Sequence, residues 1–115
     1  MIRYTLVVDG DPANLELTTT LLEREGHRVC QAATIPKALV SLRRKDIDLI
    51  LLDEPEVLEK LKTHPNAANI PMIAVTAHAM KGNRERFLET GCANYISKPF
   101  DAVEFKKILS RYYEK

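Results

Sequence analysis

Short apolar runs alternate with helical patterns along the whole chain, and that alternation leaves few folds open. Thr5-Leu6-Val7-Val8, Leu49-Ile50-Leu51-Leu52 and Met72-Ile73-Ala74-Val75 read as buried strands, and Arg28 to Ala32 and the shorter Asn94 to Ser97 bring the set to five. Pro12 to Glu25 reads as a helix with Asp11 at its N-cap, Pro12 at its first position and Gly26 as its stop. Thr34-Ile35-Pro36 opens a second helix whose apolar residues Ile35, Ala38, Leu39 and Leu42 recur at helical spacing. Glu56 to about Lys62 is a short helix with Val57, Leu58 and Leu61 on one side, broken at His64-Pro65-Asn66. Ala79 to about Thr90 is helical and closed by Gly91. Asp101 caps a last helix, with Glu104 completing a capping box and Phe105, Ile108, Leu109 and Tyr112 as its apolar stripe. Parallel neighbours need a crossover, which the intervening helices supply. Right-handed crossovers place helices on both faces of an open sheet. The expectation is an α/β three-layer sandwich, with residues 1–115 forming a single domain.

Charge excludes some functions. Seventeen Lys and Arg against sixteen Asp and Glu leave a net charge of +1, with no basic run interleaved with aromatics, so no nucleic-acid surface is indicated. No apolar run approaches the ~18 residues of a membrane span, and no leader-like layout precedes the first strand. A cytoplasmic location is expected. Cys30 and Cys92 lack ligand spacing and read as reduced packing residues. His27, His64 and His78 fall in a turn, a loop and a helix start, share no metal spacing, and read as exposed or half-buried structural residues.

The informative pattern lies just past the strands. Val8 is succeeded by Asp9, Leu52 by Asp53, Val75 by Thr76 and Ser97 by Lys98. In an open parallel sheet these strand ends share one edge, where ligands bind. Two carboxylates, a hydroxyl and an ammonium suit phosphoryl transfer onto a carboxylate. An Asp can form an acyl phosphate, and cations neutralise the transferring group. Mg²⁺ needs only one or two protein carboxylates, because it keeps several waters.

At these residues the sequence resembles response-regulator receiver domains, the CheY-like family of two-component signalling. The segments that carry the resemblance are Leu6-Val7-Val8-Asp9, Asp48-Leu49-Ile50-Leu51-Leu52-Asp53, Ile70-Pro71-Met72-Ile73-Ala74-Val75-Thr76-Ala77, Gly91-Cys92-Ala93-Asn94-Tyr95 and Ser97-Lys98-Pro99-Phe100. The resemblance implies a flavodoxin-like (βα)5 fold with strand order 2-1-3-4-5. It implies Asp53 as phosphoacceptor, Thr76 as switch hydroxyl and Lys98 as the phosphate-contacting lysine. It implies Asp9, Asp53 and the backbone carbonyl of Pro55 as Mg²⁺ ligands, with Asp11 as a weak substitute. Tyr95 and Phe100 fall at the switch and interface, and Pro99 matches a proline often preceded by a cis bond. Met80, Tyr95, Phe100 and Val103 fall on the face of the fourth helix, fifth strand and fifth helix. The implied partners are a histidine kinase or phosphotransfer protein and a downstream protein docking on that face. The implied regulator is not an enzyme, any phosphorylation or dephosphorylation being self-directed, and acts as a monomer or weak homodimer.

Two positions depart from the family pattern. Gly10 stands at the second acidic position and has no side chain to offer a cation, which weakens Mg²⁺ binding. After Asp53 the family carries a longer loop, whereas here only Glu54 and Pro55 precede Glu56-Val57-Leu58, bringing two acidic residues close to the acceptor. An alternative is therefore an atypical receiver that signals by binding alone. A rival class comes from Asp9-Gly10-Asp11, which resembles the first motif of haloacid-dehalogenase phosphatases with Asp9 as nucleophile. Pro12-Ala13 and the lack of a late acidic pair or cap domain weigh against it. Flavin binding is disfavoured because Asp9-Gly10-Asp11-Pro12 would repel a phosphate.

Overall fold

A computed structural model describes residues 3–44, 46–76, 81–97 and 102–113, with the side chains of 3, 76, 81–84, 90, 97 and 113 outside the description. Its elements run β1 (Arg3–Val8), α1 (Pro12–Arg24), β2 (His27–Ala32), α2 (Ile35–Ser41), β3 (Leu49–Leu52), α3 (Pro55–Lys62), a 3₁₀ turn (Pro65–Ala67), β4 (Met72–Thr76), α4 (Lys81–Thr90), β5 (Asn94–Ser97) and α5 (Ala102–Tyr113). All five strands are parallel, in the order β2-β1-β3-β4-β5. This is the three-layer flavodoxin-like arrangement that the alternation and the resemblance imply.

Side-chain alternation along the strands builds two cores. Leu6, Val8, Ile50, Leu52, Met72 and Ala74 face α2, α3 and α4, meeting Ala38, Leu42, Val57, Leu58, Leu61 and Phe87. Val7, Leu49, Leu51, Ile73, Val75 and Ile96 face α1 and α5, meeting Leu22, Phe105 and Leu109. Every residue of β3 is buried, as a central strand covered on both faces requires.

The helix caps reflect local chemistry. Asp11 accepts from the Ala13 amide and Thr34 from the Lys37 amide, each ahead of a proline in the first turn. Gly26 and Gly91 take positive φ values of 86° and 100°, which the chain needs to turn out of α1 and α4. The expected cap Asp101 lies outside the described residues, as do Ala79 and Met80 at the expected start of the fourth helix.

Several details differ from the sequence expectation. Strand β1 begins at Arg3, because Arg3 and Tyr4 pair with His27 and Arg28 of β2. His27 begins β2 and is buried, with Nδ1 3.2 Å from Thr5 Oγ1, so it is not the turn residue expected. His64-Pro65-Asn66 does more than break a helix. His64 Nδ1 accepts from the Asn66 amide at 3.1 Å, and Asn66 Nδ2 donates to Leu42 O at 2.7 Å, fastening the turn to the end of α2.

The amino ends of the strands carry a cluster of their own. Arg44 lies 4.2 Å from the Tyr4 ring centroid and forks onto Asp46 with two 3.0 Å bonds, while Arg28 Nη1 donates to Tyr4 Oη at 3.3 Å. These guanidiniums, Arg28 first and then Arg44, hold the Tyr4 hydroxyl below its usual pKa. Burial pushes the Cys92 thiol up, as befits a packing residue.

Candidate functional site

Val8 pairs with Leu52, so Asp9 and Asp53 leave the sheet side by side from strands about 4.8 Å apart. The chain reverses direction across the sheet at this pair, running from β1 to β2 on one side and then to β3 on the other. Such a switch point opens the crevice in which open parallel sheets bind ligands. Leu52 pairs with Ala74, and Thr76 pairs with Ser97. The backbone of Thr76 therefore stands at the same edge, two residues past the level of Leu52. Lys98, Pro99 and Phe100 lie outside the described residues, as do His78 and the Thr76 side chain. Asp9, Asp53 and the end of β4 thus come together as expected from the strand ends.

The first connection is a set of nested turns. Asp9 is only 4 % exposed, and its amide donates to Ala32 O at 3.1 Å. Its Oδ1 accepts from the Asp11 amide at 2.9 Å, an Asx-turn that folds residues 9–11 back on themselves. Asp11 Oδ1 accepts from the Ala13 amide at 2.9 Å, and its Oδ2 accepts from Asn14 Nδ2 at 3.3 Å. Asp-Gly-Asp is therefore a turn leading into a helix cap, which gives no support to the phosphatase pairing of Asp9 and Asp11.

The second connection is shorter. Asp53 is half-buried, Glu54 is the N-cap of α3 without a side-chain cap bond, and Pro55 is the first helical residue. Helix α3 thus starts one residue earlier than expected, because proline's fixed φ suits that position. Burial of Val57, Leu58 and Leu61, at roughly 1.5–3 kcal/mol each, holds the helix against the core. Pro55, the residue expected to offer its carbonyl to a cation, is thus part of the first turn of α3.

These contacts decide whether the rim fits Mg²⁺. Gly10 offers no side chain, both Asp11 oxygens serve the α1 cap, and one Asp9 oxygen serves the turn. Among the described residues no group of three or more His, Cys, Asp or Glu is placed to hold a metal. Asp9 and Asp53 are the two carboxylates on which a divalent cation at this rim would draw, with water at its other positions; the set is one carboxylate short of the family pattern yet matches the one or two that Mg²⁺ takes.

Beyond the rim, the half-buried Tyr95 packs its ring 5.7 Å from that of Phe87 in α4, at 58°. Arg86 Nη2 reaches Glu59 Oε1 at 3.3 Å, linking α4 to α3, and Tyr112 Oη donates to Ala93 O at 3.1 Å, linking α5 to the start of β5. Sequence reading missed the Asx-turn at Asp9, although an Asp ahead of a glycine and a helix cap is its usual signal. It also missed the Arg86–Glu59 pair, whose partners lie 27 residues apart and carry no local signature.

Comparison with known proteins agrees with this geometry. The family model for the response regulator receiver domain matches residues 5–110. The polar-differentiation response regulator DivK of Brucella ovis is 34% identical over 119 aligned positions, covering 97% of each chain. The receiver domain of sensor histidine kinase PA1611 from Pseudomonas aeruginosa, solved with magnesium in its active-site cleft, superposes with a TM-score of 0.87 at 30% identity, covering 100% of both chains. A CheY-like receiver domain from Methanospirillum hungatei gives 0.84 at 30% identity, covering 99% of this chain and 96% of the other. With a buried Asp9 beside Asp53 at the switch point of a 2-1-3-4-5 sheet, and a family match across nearly its whole length, the chain belongs to the response-regulator receiver domains of two-component signalling.

Proposed function

We propose that Asp53 accepts a phosphoryl group from the phosphohistidine of a histidine kinase or phosphotransfer protein. The observation that carries this reading is the β1–β3 register, which sets Asp53 beside Asp9 at the switch point. In the transfer, an Asp53 oxygen bonds to phosphorus as the P–N bond to the donor imidazole breaks. The electron pair stays on that nitrogen, which takes up a proton, and an acyl phosphate remains on Asp53. Lys98 and Thr76 are assigned to the phosphoryl oxygens, the lysine as a point charge and the threonine as a hydroxyl donor. The amino ends of α1 and α3 at this edge add partial positive charge. In the PA1611 receiver domain a magnesium ion lies in the corresponding cleft.

The output is a population shift. Thr76 and Lys98 draw toward the phosphoryl group, Tyr95 and Phe100 respond, and the α4–β5–α5 face changes its fit for a downstream protein. The chain works as a monomer or weak homodimer in the cytoplasm, without nucleic acid, and turns over no separate substrate. No described helix is long and apolar enough to cross a membrane.

One observation favours a second reading, a protein-interaction module independent of phosphorylation: Gly10 leaves the rim one carboxylate short and both Asp11 oxygens are engaged. Incubation with acetyl phosphate and Mg²⁺, then intact-mass measurement, separates the two. Gain of one phosphoryl group, abolished by Asp53→Asn, supports the acceptor. No gain at any time or concentration overturns it in favour of the module.

A further inference from the structure

We propose that the outer edge of β2, together with the exposed face of α2, is a docking groove for an extended acidic segment of a partner protein. Among the described residues β2 pairs only with β1, at the opposite edge of the sheet from β5. The Ala32 carbonyl accepts from the Asp9 amide and so points toward β1. Peptide groups alternate in direction along a strand. The backbone N–H and C=O groups of Val29 and Gln31 therefore point outward, where an added strand would meet them. Beside them lies an open, mostly apolar groove of about 330 Å³, lined by Gln31, Pro36, Lys37, Val40 and Ser41. Lys37, Val40 and Ser41 share one face of α2 at i, i+3 and i+4, and Val40 is 56% exposed there.

Charge selects the occupant. Residues 26–45 hold five Lys and Arg and no Asp or Glu, in a chain whose net charge is only +1. Lys37 lines the groove, and Arg28 stands three residues, about 10 Å, ahead of Gln31 along β2. Arg44 is forked onto Asp46, so Lys37 and Arg28 are the cations that frame the apolar centre. An extended segment carrying glutamate, valine and glutamate at every second position spans about 13 Å on one face. The valine then enters the groove against Pro36 and Val40, and the carboxylates reach Arg28 and Lys37. Main-chain bonds to Val29 and Gln31 supply affinity, and charge supplies the choice of partner. A second copy of this chain would bring the same cations against themselves, which is unfavourable across an interface. A nucleic acid matches the charge but neither the apolar groove nor the outward peptide groups. The site involves neither Asp53 nor the α4–β5–α5 face, and stands whether or not Asp53 is phosphorylated.

The test is fluorescence anisotropy with a labelled synthetic peptide of alternating glutamate and valine, run against a lysine–valine peptide and a single-stranded oligonucleotide. The glutamate peptide should bind saturably, and its affinity should fall about tenfold between about 0.05 and 0.5 M NaCl. Lys37 is exposed, so its replacement leaves the core untouched. Lys37→Glu should weaken the peptide about tenfold and Lys37→Gln about threefold. In the complex the Val29 and Gln31 amides should gain protection from hydrogen exchange. Absence of saturable binding overturns the proposal, as does equal binding of the lysine peptide or tighter binding of the oligonucleotide. A Lys37→Gln variant that binds as wild type does, or protection confined to the α4–β5–α5 face, overturns it too. Self-association that shields the same two amides without the peptide assigns the edge to a second copy and overturns it likewise.

Discussion

Asp11 could serve as a helix cap or as a cation ligand, and replacing it separates the two roles. Its Oδ1 accepts from the Ala13 amide at 2.9 Å and its Oδ2 from Asn14 Nδ2 at 3.3 Å. The first bond satisfies one of the orphan donors of α1, and loss of such a cap typically costs about 1 kcal/mol. The second is a long contact between exposed side chains and adds little. A negative charge at a helix amino end adds roughly 0.3–1 kcal/mol, reduced by salt at an exposed site. Asp11→Ala should therefore cost between about 1 and 2 kcal/mol, which for a chain of this size lowers Tm by roughly 4–8 °C. Asp11→Asn keeps the cap acceptor and loses only the charge, so about 0.5 kcal/mol is expected. Urea denaturation measures both, and the midpoint should move without a change in slope. Neither variant should alter the response to Mg²⁺. Equal losses for Asn and Ala, or a wild-type Mg²⁺ response that disappears with Asp11, would refute the cap and restore Asp11 as a ligand.

Packing and charge set further expectations. Phe87→Ala empties a fully buried position beside Tyr95 and should cost roughly 3–5 kcal/mol in urea denaturation; a loss below about 1 kcal/mol would mean the ring is not packed there. Tyr4 titrates below its usual 10.0, because Arg28 and then Arg44 favour the phenolate. The folded chain thus gives up that proton before the unfolded one does. Stability contributed by Tyr4 should rise as pH climbs from the folded-state value toward 10 and be lost as pH falls back through it. The difference in phenolate absorbance between wild type and Tyr4→Phe reads the titration, which Arg28→Ala should shift upward.

Much of the fold was legible because it is written in local chemistry. β3 and β4 are apolar at every core position, Asp11-Pro12 and Thr34-Ile35-Pro36 are caps with prolines in the first turn, and Gly26 and Gly91 sit where the chain must turn left-handed. The hidden part was non-local. The extension of β1 depends on its pairing with His27 and Arg28 of β2, and His27 in turn lies buried against Thr5 across the sheet. At the site, the meeting of Asp9 and Asp53 could be read from both aspartates ending adjacent strands. The direction of their oxygens could not, because Asp9 engages one of them in a turn with the Asp11 amide.

Borohydride trapping probes the central assignment most directly. After incubation with a phosphodonor, hydride reduces an aspartyl phosphate to homoserine, and peptide sequencing by mass spectrometry locates it. Homoserine is expected at position 53, with Asp9 and Asp11 unchanged. Homoserine at position 9 would transfer the chemistry to the Asp-Gly-Asp turn, and its absence from the whole chain would contradict phosphoryl transfer altogether.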